Sequence, residues 1–385
     1  MGACSSLSSH KFIVIGSEHY NPLGVIRSLG EAGIAPIAIV RRGQYQFASA
    51  SKYIDSVYLI DDYNEVFGIL DGYKDPDCKT FIIPCDDVIT SILDKEFDKL
   101  KNYFYLSNAG AEGRITLYAE KERQLILAEK HGLNVAKTWA VGKDGSLPDG
   151  VLYPVITKPV YSYDDWKQDY YICSNEFELT EALGKTKGPV FLQQYITKKT
   201  ELAIDGVSVN RGRCVLPAIE STYTYALPDY YSSEMVVSNC RDEKLRLSLQ
   251  TMLSEIGYEG IFEAEFMVDE NGELWFLEIN FRNSTWSYAS TSLGMNLPLL
   301  FARGMLDGKF PDDSEKKIPE NYIALAELMD FLQRVMKYKM ISPLEWVKCV
   351  RRANCLFFYN KNDKRPFWNM CRYQVVKVFK GFFGR

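Results

Sequence analysis

Short apolar runs and amphipathic stretches alternate along the N-terminal part of the chain. Lys11–Gly16 (KFIVIG) is apolar and closes on glycine, which predicts a strand. Asn21–Ala32 follows, with Pro22 near its start and Gly33 at its stop, the punctuation of a helix. Ile34–Val40, Tyr53–Ile60 and Thr80–Pro84 predict further strands, with a helical stretch at Asn64–Leu70. Strand–helix–strand alternation implies a parallel sheet covered by helices, with a binding crevice at the strand ends. Gly16-Ser17-Glu18 and Cys85-Asp86-Asp87 lie at two such ends. There is no full G-x-G-x-x-G, so a dinucleotide site has only weak support.

Beyond this region the pattern changes. Ala119–His131 predicts a charged helix stopped by Gly132, and Phe177–Leu183 a short one. Thr138–Val141, Tyr153–Lys158 and Pro189–Ile196 (PVFLQQYI) predict strands. Leu202–Val209 and Cys214–Ile219 extend a second sheet, Glu243–Ile256 is amphipathic, and Asn296–Leu306 predicts a helix closing the core. Pro311–Pro319 is polar and reads as a linker. From Val335 onward lysine and arginine far outnumber the two acids, Glu345 and Asp363, and aromatics interleave. That segment has two readings: a packed helical appendage, or a basic apolar surface that meets anionic lipid.

The most informative polar intrusions fall within EGIFEAEFMVDENGELWFLEINFRNS, residues 259–284. Ile261–Val268 and Glu273–Asn280 predict a hairpin about a tight Asn271-Gly272 turn. Both strands are largely apolar, yet Glu265 interrupts the first, and Glu278 and Asn280 the second. Residues 278 and 280 share a sheet face because side chains alternate with period two. A tight turn brings Glu265 across from them. Carboxylates converging on an apolar sheet repel one another unless a cation offsets them. An oxygen-only set of Glu265, Glu278 and Asn280 suits Mg2+, with Mn2+ as an alternative. Arg282, two residues on, is placed to stabilise a phosphate or an oxyanion. The other reading is an ordinary hairpin with solvent-facing acids.

Composition narrows the classes. With 385 residues, 46% apolar and 25% charged, the chain has the balance of a soluble globular protein of two or three domains. A net charge of −5 gives no overall reason to expect nucleic acid. No apolar run approaches the ~18–20 residues of a membrane span. Nine cysteines without C-x-x-C spacing suit reduced cytosolic thiols, and three histidines make a His-based metal site or triad a poor expectation. The start Met1-Gly2-Ala3-Cys4-Ser5-Ser6 formally matches a lipidation pattern, against a disordered leader.

The order of these features resembles the ATP-grasp superfamily of carboxylate–amine ligases over roughly residues 11–310. Glu120-Lys121-Glu122-Arg123 opens a helix that ends in HGLNVAKT, similar to the family's first nucleotide lysine and the segment after it; Ala136 stands where the family has proline. YPVITKP, residues 153–159, resembles the strand of the second lysine, here Lys158. Gln193-Gln194-Tyr195-Ile196 resembles the hinge strand along adenine. Glu265, Glu278, Asn280 and Arg282 match the metal and catalytic hairpin with its E-x-N-x-R ending. The pieces PCDD, YPVITKP and INFRNSTWSYASTSLGMNLP are most similar to the D-aspartate ligase-like and short carbamoyl-phosphate-synthase-like branch. One departure concerns the phosphate lid: VYSYDDWKQDYY after Pro159 holds no glycine, leaving Ser162 as a hydroxyl donor and Asp164 and Asp165 badly suited to triphosphate.

The resemblance implies an α/β protein: a Rossmann-like domain before a two-lobed ATP-grasp fold. The expected divisions are 1–10 (leader), 11–110 (Rossmann-like), 111–197 (small lobe), 198–310 (large lobe) and 311–385 (basic aromatic appendage). It also implies ATP and Mg2+ as cofactors and an acyl phosphate mechanism. Lys121 and Lys158 would neutralise phosphates, residues 193–196 would line the adenine, and Glu201, with Asp205 beside it, would accept the ribose hydroxyls. Glu265, Glu278 and Asn280 would hold the metal, and Arg282 would stabilise the transferring charge. Partners would be a small carboxylate and an amine, with the Tyr-rich segment Thr222–Tyr231 as a candidate substrate wall. The place would be cytoplasmic, with peripheral membrane contact through the C-terminal segment. A carboxyphosphate former and a non-catalytic nucleotide-binding protein are the alternatives.

Overall fold

The computed structural model describes residues 7–142, 146–159, 170–186, 188–227 and 231–383, the side chains of Pro159 and of residues 378–383 excepted. The first sheet is all parallel. It contains β1 (Phe12–Ser17), β2 (Ile37–Arg41), β3 (Ser56–Ile60), β4 (Thr80–Pro84) and β5 (Phe104–Tyr105), in the order β3-β2-β1-β4-β5. β1, β2 and β4 bury nearly every side chain, as strands covered on both faces must. The chain order reverses between β1 and β4. Such a switch point opens a crevice at the carboxyl ends of the strands, where Ser17 and Asp86-Asp87 lie.

A four-stranded antiparallel sheet follows: β6 (Thr138–Ala140), β7 (Val155–Pro159), β8 (Ile172–Cys173) and β9 (Val190–Gln194), ordered β6-β9-β7-β8. The third sheet contains β10 (Lys198–Val209), β11 (Cys214–Tyr223), β12 (Glu234–Ser238), β13 (Gly260–Asp269), β14 (Leu274–Asn280), β15 (Tyr322–Leu325) and β16 (Cys355–Leu356). Its order is β14-β13-β10-β11-β12-β15-β16, antiparallel except for the last pair. Behind β10, β13 and β14, the Glu243–Ile256 helix buries Leu245, Leu249, Met252 and Leu253 against Leu202, Ile204, Phe262 and Phe266. Another core runs from Phe12, Leu23 and Ile26 of the N-terminal region to Val207, Trp286, Phe301 and Phe357.

Two local expectations change. The hairpin loop is Glu270-Asn271-Gly272, one residue longer than a two-residue Asn-Gly turn. Asp269 and Glu273 still pair, Gly272 N–H donates to Asp269 O at 3.1 Å, and Gly272 takes φ +83°. The Asp269 carboxylate causes this by accepting the N–H groups of Asn271 and Glu273 at 2.8 and 2.9 Å. Second, the segment after Phe310 is not a detached appendage, because β15 and β16 complete the edge of the large sheet. Arg27 and Asp363, both with fully buried side chains, pair at 3.1 Å and fasten that segment to the helix after β1. Among the described residues no helix is long and apolar enough to cross a membrane. Gly2 and Cys4 lie outside the described residues.

Candidate active site

The hairpin builds the floor of the site. Glu265 lies directly across from Glu278, and Glu263 across from Asn280. Leu277 then has no partner, so the register slips and Phe276 pairs with Phe266 on the opposite face. The bulge thus places apolar rings behind the sheet and three acids in front. Asn280 Nδ2 donates to Glu265 Oε1 at 2.9 Å and to Glu263 Oε2 at 3.3 Å. β14 is an edge strand, and its exposed backbone is closed by Gln124. That side chain donates to Ile279 O at 2.9 Å and accepts Ile279 N–H at 2.7 Å.

The acids repel each other as built. Burial first, then the charges of Glu263 and Glu278, push Glu265 up to about 8. Among the described residues no group of three His, Cys, Asp or Glu side chains is already drawn together as a metal cage. The donor set nevertheless fits a hard cation: Glu265 and Glu278 face one another with oxygens only, Asn280 is beside them, and a positive charge would lift their repulsion.

Arg282 links this floor to the switch point. Its Nη1 donates to Glu263 Oε2 at 3.0 Å and its Nε to Asp87 Oδ1 at 3.1 Å. Asp87 opens the helix after β4, while Asp86 caps that helix by accepting Ile89 N–H. A cleft of about 290 Å3 runs between the two regions, lined by Asp87, Thr90, Gln124, Glu278 and Asn280. His19, at the end of β1, accepts Asn21 N–H on Nδ1. Burial first, then Arg282, lower its pKa to about 4, so the ring is neutral. Glu18 is spent locally, accepting the N–H groups of Phe47 and Ser49. A larger cavity, about 930 Å3, lies on the reverse face of the large sheet beside Leu202, Thr222 and Phe266, away from these acids.

The two lysines come together. Lys158, on β7, donates to Gln193 Oε1 of β9 at 2.5 Å. Burial first, then Lys121, lower its pKa to about 8. Lys121, the first residue of the Lys121–Lys130 helix, also lies 3.8 Å from Glu278. Lys121 therefore joins the small sheet to the hairpin acids. The hinge fits its expected reading less directly. Gln194 N–H donates to Lys137 O at 2.7 Å and Tyr195 N–H to Pro154 O at 2.9 Å. Both are engaged within the sheet.

Glu201 lies at the hinge end of β10, its carboxylate 2.5 Å from Lys198. Asp205 lies further along the same strand. It shares the face of Glu201 but lies two alternations deeper, fully buried, opposite Glu263 and accepting Ser284 O–H. Burial first, then Glu263, raise its pKa. Tyr223 is nearby too, its phenol pushed up by burial and then by Glu201, Glu265 and Glu263. The lid residues Ser162, Asp164 and Asp165, with residues 228–230 of the Tyr-rich segment, lie outside the described residues. Asp87 stood in the Cys85-Asp86-Asp87 strand end, whereas Glu263, His19 and Gln124 were not singled out from the sequence. Glu263 alone carried a local signal, standing two residues before Glu265 on the same face.

No family model matches the chain. It is similar to the formate-dependent phosphoribosylglycinamide formyltransferase of Ignicoccus hospitalis, 25% identical over 352 residues that cover 85% of this chain and 83% of that protein. Its fold is similar to N5-carboxyaminoimidazole synthetase from Staphylococcus aureus, with TM-score 0.59, 15% identity, and 85% and 86% of the two chains covered. It is also similar to L-amino acid ligase from Bacillus licheniformis, with TM-score 0.56, 14% identity, and 82% and 78% covered. With a Rossmann-like sheet, a small antiparallel sheet bearing a lysine and a large sheet ending in an acidic hairpin, the chain shares the fold of these proteins, in line with its resemblance to the ATP-grasp superfamily.

Proposed function

We propose that this ATP-dependent ligase activates a carboxylate as an acyl phosphate and joins it to an amine. The observation that carries the reading is the convergence of Lys158 and Lys121 with Glu278, and of Glu265, Asn280 and Arg282, from separate elements. A substrate carboxylate oxygen attacks the γ-phosphorus and ADP leaves; the amine nitrogen then attacks the acyl carbon and phosphate leaves. Lys121 and Lys158 hold phosphate oxygens as point charges. Arg282, kept rigid by Glu263 and Asp87, faces the charge that develops on transfer. Glu265, Glu278 and Asn280 would hold Mg2+, which when bound supplies charge neutralisation on the phosphates. No nucleophilic protein side chain is required.

The cleft beside Asp87, Thr90 and Asn280 is our choice for the acceptor substrate. For the finer substrate class we infer an amino acid added to a cell-envelope precursor, supported by the PCDD and INFRNSTWSYAS pieces that build the Asp87–Arg282 junction. The formate-dependent relative supports a second reading in which the activated carboxylate is very small. Purified enzyme with pooled carboxylic acids and amines should form ADP only when both pools are present, with an amide seen by mass spectrometry. ADP formation that needs neither pool would overturn the reading.

Lys158 offers an independent check. A lysine that titrates near 8 keeps its charge below that pH and loses it above. Bound phosphate favours the charged form, so ATP affinity should hold near neutrality and fall as pH rises past about 8, by up to tenfold per unit. Lys158→Ala should lose about 1.5–3 kcal/mol of ATP affinity at pH 7 and flatten that pH dependence. Calorimetry showing wild-type affinity and slope in the variant would remove Lys158 from the site.

A further inference from the structure

The end of the chain differs in charge from the rest. From Val335 on, lysines and arginines crowd around only two acids, although the whole chain is net −5. One of those acids, Asp363, is already buried against Arg27. The closing helix, Arg365–Phe383, has two unlike faces. On one, Pro366 and Met370 are buried, Tyr373 stacks on Tyr45 at 4.4 Å, and Asn369 donates to Gln46 O at 3.0 Å. The other face is bare: Trp368 is 60% exposed, Val375 54% and Val376 43%. Arg365 and Arg372 are exposed beside them, while Lys377 is exposed one turn beyond Tyr373, in line with the packed face. Positions 365, 368, 372 and 375 are spaced by three and four, so they form one stripe along the helix.

The preceding helix, Pro343–Arg352, repeats the arrangement. It buries no residue fully, and Leu344, 78% exposed, and Val347 share a face with Lys348 and Arg351. An indole and branched aliphatics left in water between cations contribute nothing to the fold. They are what an interfacial helix needs: an apolar stripe to enter the headgroup boundary and cations to meet phosphates. A nucleic acid would answer the cations but leave the Trp368–Val375 stripe without a role.

We propose that the exposed face of the Arg365–Phe383 helix docks on an anionic lipid bilayer, with Trp368, Val375 and Val376 at the headgroup boundary and Arg365 and Arg372 on the lipid phosphates. This inference is independent of the ligase reading. Removing everything after residue 334 would be a poor test, because Asp363, Phe357 and Phe358 belong to the core. The test uses the full chain and vesicles of phosphatidylcholine with or without phosphatidylglycerol. Wild type should co-sediment with the anionic vesicles at low salt and release as salt rises. A double variant, Arg365→Glu and Arg372→Glu, should lose binding at least tenfold. Trp368→Ser should weaken binding at every salt concentration, and both variants should keep wild-type circular dichroism and melting. Absence of wild-type binding at low salt would overturn the proposal. So would binding untouched by either variant, or a face covered by self-association or RNA without affinity for vesicles.

Discussion

Asp363→Ala should lower the unfolding free energy by about 3–5 kcal/mol, the cost of leaving a buried charge without its partner. The residue stranded is Arg27, whose side chain is fully buried in the helix after β1. Its guanidinium donates to Asp363 Oδ2 and to the carbonyls of Phe357, Phe358 and Asp363 at 2.7–3.1 Å. Asp363 accepts in addition from Ser51 O–H at 2.9 Å and Lys52 N–H at 3.0 Å. The pair thus closes three stretches of chain at once. Urea denaturation followed by circular dichroism measures the loss. A change below about 1 kcal/mol, the range of ordinary surface substitutions, would show that the pair is not the clamp the packing implies.

Glu278→Gln should do the opposite: leave the fold and remove the chemistry. Glu278 is partly exposed and faces Glu265, so losing its charge relieves repulsion, and the Glu265 pKa should move back toward the ordinary carboxylate range. Stability should therefore stay within about 0.5 kcal/mol of wild type or rise slightly. Turnover of ATP should fall about a thousandfold, roughly 4 kcal/mol of lost stabilisation of the transferring phosphate. Full turnover in the folded variant, with unchanged Mg2+ dependence, would take Glu278 out of the metal set.

Parts of this site were legible because they are local. A carboxylate in an apolar strand is conspicuous, and period-two alternation is enough to set Glu278 and Asn280 on one face. The same rule set Asp205 on the face of Glu201 but carried no depth, and Asp205 is fully buried and bonded to Ser284. The bulge at Leu277 was invisible, although it is what separates Phe276 from the acids. Arg282 could be singled out, but its partner Asp87 is 195 positions away. The C-terminal strands were missed for a similar reason. β15 and β16 are short edge strands inside a segment whose basic composition dominates, and the bond that fixes them to the body spans 336 positions.

The fate of the carboxylate oxygen decides whether an acyl phosphate forms. Pooled carboxylic acids labelled with oxygen-18 in the carboxyl group, incubated with the enzyme, ATP, Mg2+ and pooled amines, should pass a single labelled oxygen into the released phosphate. Attack of the carboxylate on the γ-phosphorus, followed by displacement by the amine, leaves that oxygen on phosphorus, and the Glu278→Gln protein should release none. Amide or ADP formed with unlabelled phosphate would mean that no acyl phosphate is made, and would contradict the assignment of this site.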